Sequence, residues 1–122
     1  MKAVPGKVIS LAQLQEMFEN IEASTDWDVK GNLLWGYFFT HREPRKLEEA
    51  KDTLISQGYR FVDLYISDKD SADEPDQYWL HMEKIETHSP VSLDNRNDEL
   101  YKFSHDFGLD SYDGMDVGPV QE

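Results

Sequence analysis

Apolar positions along the chain follow two periods, and the longest apolar run is Leu33-Leu34-Trp35-Gly36-Tyr37-Phe38-Phe39-Thr40-His41. Aromatic side chains suit a pleated surface, and a run with so little charge suits a strand flanked on both sides. This stretch is expected to be a central strand. Before it, Leu11, Leu14, Phe18 and Ile21 recur at spacings of three, four and three. That spacing lays one apolar stripe on a helix over about 10–24. Ser10 is placed to cap it, because its hydroxyl can accept from an orphaned amide of the first turn. Thr25 to Asn32 reads as a polar connection.

Beyond the strand, Pro44 suits the first turn of a second helix, where a missing N–H costs nothing. Leu47, Ala50 and Leu54 mark its buried stripe, and Gly58 is its expected end. Tyr59 to Ser67 and Gln77 to Thr87 are expected strands. The segment between them, Asp68 to Asp76, is too polar to pack and reads as an exposed hairpin loop. Ser89-Pro90 breaks the third strand. Ser92 is the expected cap of a third helix that turns Leu93, Leu100, Phe103 and Phe107 inward, with Gly108 closing it. Leu109 to Val117 is a last short strand interrupted by Asp113-Gly114, a pair that favours a turn or bulge.

The order helix, then strand–helix–strand–strand–helix–strand, predicts an α+β fold. It is a ferredoxin-like βαββαβ sandwich with a four-stranded antiparallel sheet, first and third strands central, plus an extra N-terminal helix. The expected organisation is a tail over 1–9, one α+β domain over 10–118 and a tail over 119–122. Alternation divides the first strand into Leu34, Gly36, Phe38 and Thr40 on one face and Trp35, Tyr37, Phe39 and His41 on the other. On the second strand Val62, Leu64 and Ile66 oppose Phe61, Asp63 and Tyr65. On the third, Leu80 and Met82 oppose Trp79, His81 and Glu83. The aliphatic sets are expected to meet the two crossover helices. The aromatic face then needs a cover, and the amphipathic N-terminal helix is the expected one. A dimer or partner surface is the alternative. A base-stacking platform fits least, because such platforms pair their aromatics with basic residues.

Charge narrows the choice of partner. Against 25 acidic residues stand 12 Lys and Arg, a formal net charge of -13. Such a chain repels nucleic acid phosphates and anionic membranes and attracts basic proteins. With no cysteine, disulfides, thiolate metal sites and thiol catalysis are all excluded. Met1 to Ser10 has no apolar signal-peptide core, and no run approaches the ~20 apolar residues of a membrane span. A cytoplasmic location without membrane attachment is expected.

Catalytic patterns are absent from the sequence. His41, His81, His88 and His105 show no paired ligand spacing, although His81 and Glu83 would share a strand face. No Gly-x-Ser-x-Gly elbow and no glycine-rich phosphate loop occurs. Asp110, Asp113 and Asp116 could gather around the last strand, and turn chemistry accounts for them. No catalytic residue, metal or cofactor is expected. The candidate partner-binding residues are Asp68, Asp70, Asp73, Glu74 and Asp76. They form a solvated turn in one reading and bait for an arginine-rich segment in the other. Single exposed ion pairs contribute little, but a field of them speeds encounter and selects basic partners.

Gly36-Tyr37-Phe38-Phe39, Leu47-Glu48-Glu49-Ala50, Gly58-Tyr59 and the closing Tyr112-Asp113-Gly114 occur in an order that resembles the regulator of ribonuclease E activity B family. The resemblance covers about Leu33 to Val117. It implies a ferredoxin-like α+β fold and a non-catalytic role: binding the basic C-terminal region of ribonuclease E and restraining RNA cleavage. Tyr112, Asp113 and Gly114 are then motif positions with a structural role. Met115 departs from the family pattern, which commonly carries Trp there. The expected function is an acidic, non-catalytic regulator that binds a basic protein surface, with ribonuclease E the candidate partner. An immunity or adaptor protein for another basic partner is the alternative, and a small-molecule enzyme using the aromatic face as a pocket is a third.

Overall fold

The computed structural model describes residues 7–67, 73 and 76–120. Helix α1 (Leu11–Ser24) is followed by β1 (Leu33–His41), α2 (Pro44–Ser56), β2 (Arg60–Ile66), β3 (Tyr78–Glu86), α3 (Pro90–Phe107) and β4 (Ser111–Gly118). The strands form one antiparallel sheet in the order β2-β3-β1-β4. Three helices and this sheet make an α+β fold, and the element order is that of a ferredoxin-like arrangement with α1 added in front.

Local chemistry sets the element ends. Ser10 caps α1 by accepting from the Gln13 amide, and the Gln13 side chain accepts from the Ser10 amide in return. Pro44 occupies the first turn of α2. Helix α3 starts earlier than the sequence suggested. Its cap is Ser89, not Ser92: the Ser89 hydroxyl accepts from the Ser92 amide at 3.1 Å, and Ser92 Oγ accepts from the Ser89 amide at 2.8 Å. Pro90 is thereby the first residue of the helix, where proline is tolerated. The same helix buries Asn97, Tyr101 and Ser104 as well as Leu93 and Leu100.

The expectation for the faces of β1 is overturned. Trp35, Tyr37 and Phe39 are fully buried, and theirs is the face that meets the helices. Cross-strand partners share a face. Tyr37 stands opposite Met82 and Met115, and Phe39 stands opposite Leu80 and Tyr112. The register therefore joins the aromatic set of β1 to the aliphatic set of β3. Each of these rings brings roughly 150–250 Å² of apolar surface out of water, more than Leu34 or a Gly can. Helix α1 lies on this same layer, beside α3, with Phe18 stacked on Trp35 at 5.9 Å. It does not cross the opposite face.

A bulge also breaks the alternation of β2. The register shifts between Phe61 and Asp63, which turns Phe61 to the helix side, where the Lys51 ammonium lies 5.4 Å from its ring centre. Tyr65 remains on the other face, opposite Trp79.

These placements separate two neighbouring phenylalanines. Phe39→Ala should cost about 3–5 kcal/mol of stability, as expected for a fully buried ring. Phe38→Ala, on the half-exposed face, should cost about 1 kcal/mol. Urea denaturation of the two variants measures the difference, and equal losses would reverse the assignment of faces.

Candidate functional site: the open face of the sheet

With all three helices on one side, the other side of the sheet carries no helix among the described residues; there Tyr65 is exposed, Phe38, Trp79 and His81 are half-buried and Thr40 is buried. Its side chains stand in rows across the strands. One row runs Tyr65, Trp79, Thr40, Ser111; the next runs Asp63, His81, Phe38, Gly114; a third runs Arg60, Glu83, Gly36, Asp116. The first row is aromatic at its β2–β3 end and the second at its centre. The Tyr65 and Trp79 rings are parallel within 5° at 6.4 Å, and Phe38 stacks on His81 at 4.3 Å. Thr40 and Ser111 close one end with a hydroxyl–hydroxyl bond of 2.6 Å.

The charge on this face is unequal in sign. Arg60 pairs with Glu83 across β2 and β3. Asp63, Asp113 and Asp116 make no ion pair with Lys or Arg among the described residues. Burial, and then the charges of Asp63, Asp113 and Asp116, push the Tyr65 phenol above its ordinary value. Those carboxylates therefore act on one place although they come from strands at opposite edges. Gly36 leaves room for Asp116 and His81 to approach each other over the strand. A Cβ there would collide with Asp116 Oδ1 and would stand 2.7 Å from His81 Nε2.

The acidic segment named from the sequence connects β2 to β3, at the end of the sheet where Tyr65 and Trp79 lie. Asp68, Asp70 and Glu74 fall outside the described residues, while Asp73 and Asp76 are exposed. Tyr65, Ile66, Ser67 and Trp79 line a shallow recess of about 530 Å³.

Tyr112, Asp113 and Gly114 take three different positions. Tyr112 is buried, its hydroxyl donating to Asn97 Oδ1 at 2.7 Å and its ring packed at 5.2 Å from Phe39. Asp113 is the extra residue of a bulge, since Phe38 pairs with Gly114 and Phe39 with Tyr112. Gly114 has φ of 126°, a conformation that side chains rarely adopt. The bulge is what lets Tyr112 point into the core while Asp113 is exposed near the open face.

A family model described as Regulator of ribonuclease activity B matches residues 11–117. The chain belongs to this family. The match begins at the first residue of α1 and ends in β4, so the N-terminal helix is part of the family's shared span and not an addition to it. The resemblance read from the sequence began only at Leu33. A comparison with curated proteins finds no match. Membership makes the chain one of a set of ribonuclease regulators.

A second concave region lies in this regulator between α1 and the β3–α3 junction. It encloses about 680 Å³, with Phe18, Val29 and Pro90 on its apolar walls and Glu19, Glu22 and Lys30 at its rim. His88 lies at its back, and both ring nitrogens are engaged: Nε2 is 2.9 Å from the Glu86 carboxylate and Nδ1 is 3.0 Å from Ser92 Oγ. Glu86 also accepts from the Tyr37 hydroxyl at 2.7 Å and from Arg96 at 2.7 Å. Burial alone would raise its pKa. The bonds from His88 and Tyr37 and the charge of Arg96 outweigh burial and hold it at about 2. A carboxyl so stabilised as its anion is a poor proton donor near neutrality. Sequence reasoning missed this cluster, because no spacing rule links Tyr37, Glu86, His88 and Arg96. Among the described residues no three His, Asp or Glu side chains gather as a metal site would require. No helix among them is long and apolar enough to cross a membrane.

Because the folded pKa of Glu86 lies below the ordinary value, its contribution to stability is present above that value and is lost as pH falls. Glu86→Gln should destabilise the protein by about 3 kcal/mol at neutral pH. The gap should close as pH falls from about 4.5 to about 2. Urea titrations across that range check it, and a gap that stays constant with pH would remove the electrostatic account.

Proposed function

We propose that this protein regulates a ribonuclease without catalysing a reaction itself, by docking its acidic surface against a basic segment of the enzyme. The C-terminal region of ribonuclease E is the candidate partner, and the cytoplasm is the proposed place of action. The observation that carries this reading is the group of carboxylates on the open face, Asp63, Asp113 and Asp116, that have no cationic partner among the described residues. The family supports the choice of a ribonuclease, and the net charge of -13 supports a basic partner.

Asp68, Asp70, Asp73, Glu74 and Asp76 extend the negative field from the β2–β3 connection. In this reading they speed encounter more than they strengthen the final complex. The mechanism is competition for cations: a basic segment occupied by this protein has fewer charges to offer RNA phosphates. The same charge makes direct binding of RNA by the regulator unfavourable.

Titration of the purified protein with the basic region of ribonuclease E should give an affinity that falls at least about tenfold between about 50 and 300 mM salt. No binding at low salt, or an affinity that ignores salt, would reject the proposal. Replacing the five acidic residues of the 68–76 segment by Asn and Gln should lower the association rate about threefold to tenfold and change dissociation less. Stopped-flow mixing separates the two rates.

A further inference from the structure

The open face is specific about the kind of cation it can accept, a conclusion that rests on the reading of a basic protein segment as partner. We infer that this face is an arginine-selective platform. An extended, arginine-bearing segment of a partner protein lays its guanidinium groups over the Tyr65–Trp79 and Phe38–His81 pairs and directs them to Asp63, Asp113 and Asp116.

Shape, charge and spacing each favour that occupant. A guanidinium is flat, stacks on aromatic faces and can bind a carboxylate through two N–H groups, whereas an ammonium is a compact, strongly hydrated charge. The face offers both halves of that recognition, with ring pairs at 6.4 Å and 4.3 Å beside carboxylates that pair with no Lys or Arg among the described residues. Burial first, and then the negative charges of those three carboxylates, raise the Tyr65 phenol, so all three lie within electrostatic reach of that ring. Successive rows lie two residues apart along the strands, roughly 7 Å. Alternate side chains of an extended peptide are spaced by the same roughly 7 Å. A segment lying along the strands with arginine at every second position therefore presents one guanidinium to each row.

Other occupants fit less well. A nucleic acid could stack its bases on the rings but would bring phosphates to the carboxylates. A second copy of this chain would set like charges against one another, and each copy carries -13.

Two synthetic peptides of equal length and charge, one with alternating Arg and Ser and one with alternating Lys and Ser, test the inference by calorimetry at low salt. The full-length protein should bind the arginine peptide at least about tenfold more tightly. Asp113→Asn with Asp116→Asn should weaken it about fivefold or more. Neutralising Glu16, Glu19 and Glu22 on the exposed side of α1 should change it less than about twofold. Tyr65→Ser should reduce the preference for arginine over lysine, with an unchanged thermal midpoint showing that the fold persists. Equal affinity for the two peptides, or equal losses from the α1 and open-face variants, would overturn the inference. A wild-type protein that binds the ribonuclease E region but prefers neither peptide leaves the proposed function standing and the platform refuted. One that prefers arginine through the open face, yet ignores that region, keeps the platform and refutes the ribonuclease E assignment.

Discussion

Two of the three buried rings of β1 carry a polar tip, and the fold depends on where those tips go. The Trp35 indole N–H donates to the Glu86 carbonyl at 3.1 Å, and the Tyr37 hydroxyl donates to the Glu86 carboxylate at 2.7 Å. Left without partners, each would carry a desolvation cost comparable to much of what burying its ring contributes. Glu86, at the end of β3, thus makes an aromatic core possible. Its own burial is offset by His88 and Arg96, which tie the strand to the start of α3. One carboxylate couples β1, β3 and α3, and its low pKa is the electrostatic sign of that coupling.

The open face is the counterpart of that choice. Once Trp35, Tyr37 and Phe39 face the helices, the pleat turns Phe38 the other way, and the register brings His81, Trp79 and Tyr65 alongside it. The bulge at Asp113 then lets β4 keep Tyr112 in the core while its acidic neighbour is exposed. The aromatic platform and its carboxylates follow from the same parity that fills the core. Side chains carried on paired strands are already held in place, so the binding proposed for this face would need little ordering.

Membership in a family of ribonuclease regulators and the excess of negative charge point in one direction. The proposed competition with RNA for the cations of an enzyme would need negative charge and a stable surface. It does not need a perturbed acid poised for proton transfer. Glu86 is held as an anion by three side chains and is occupied in holding the core together, while burial raises the Asp113 carboxyl above its ordinary value.

The sequence by itself determined the order and type of the elements. Strong local signals carried them: the stripe of Leu14 and Phe18, Pro44 at a helix start, Gly58 and Gly108 at helix ends with φ of 96° and 81°, and the aromatic density of β1. Charge and the absence of cysteine were equally legible. The tertiary structure alone decided which side of β1 is buried, because alternation divides a strand into two sets without saying which set the neighbouring strand shares. That parity is set by register, and register depends on contacts between residues as distant as Phe39 and Leu80. The same reason hid Glu86 and its partners, and hid the rows of the open face. Each is an assembly of residues from different strands and helices, brought together only when the sheet is paired.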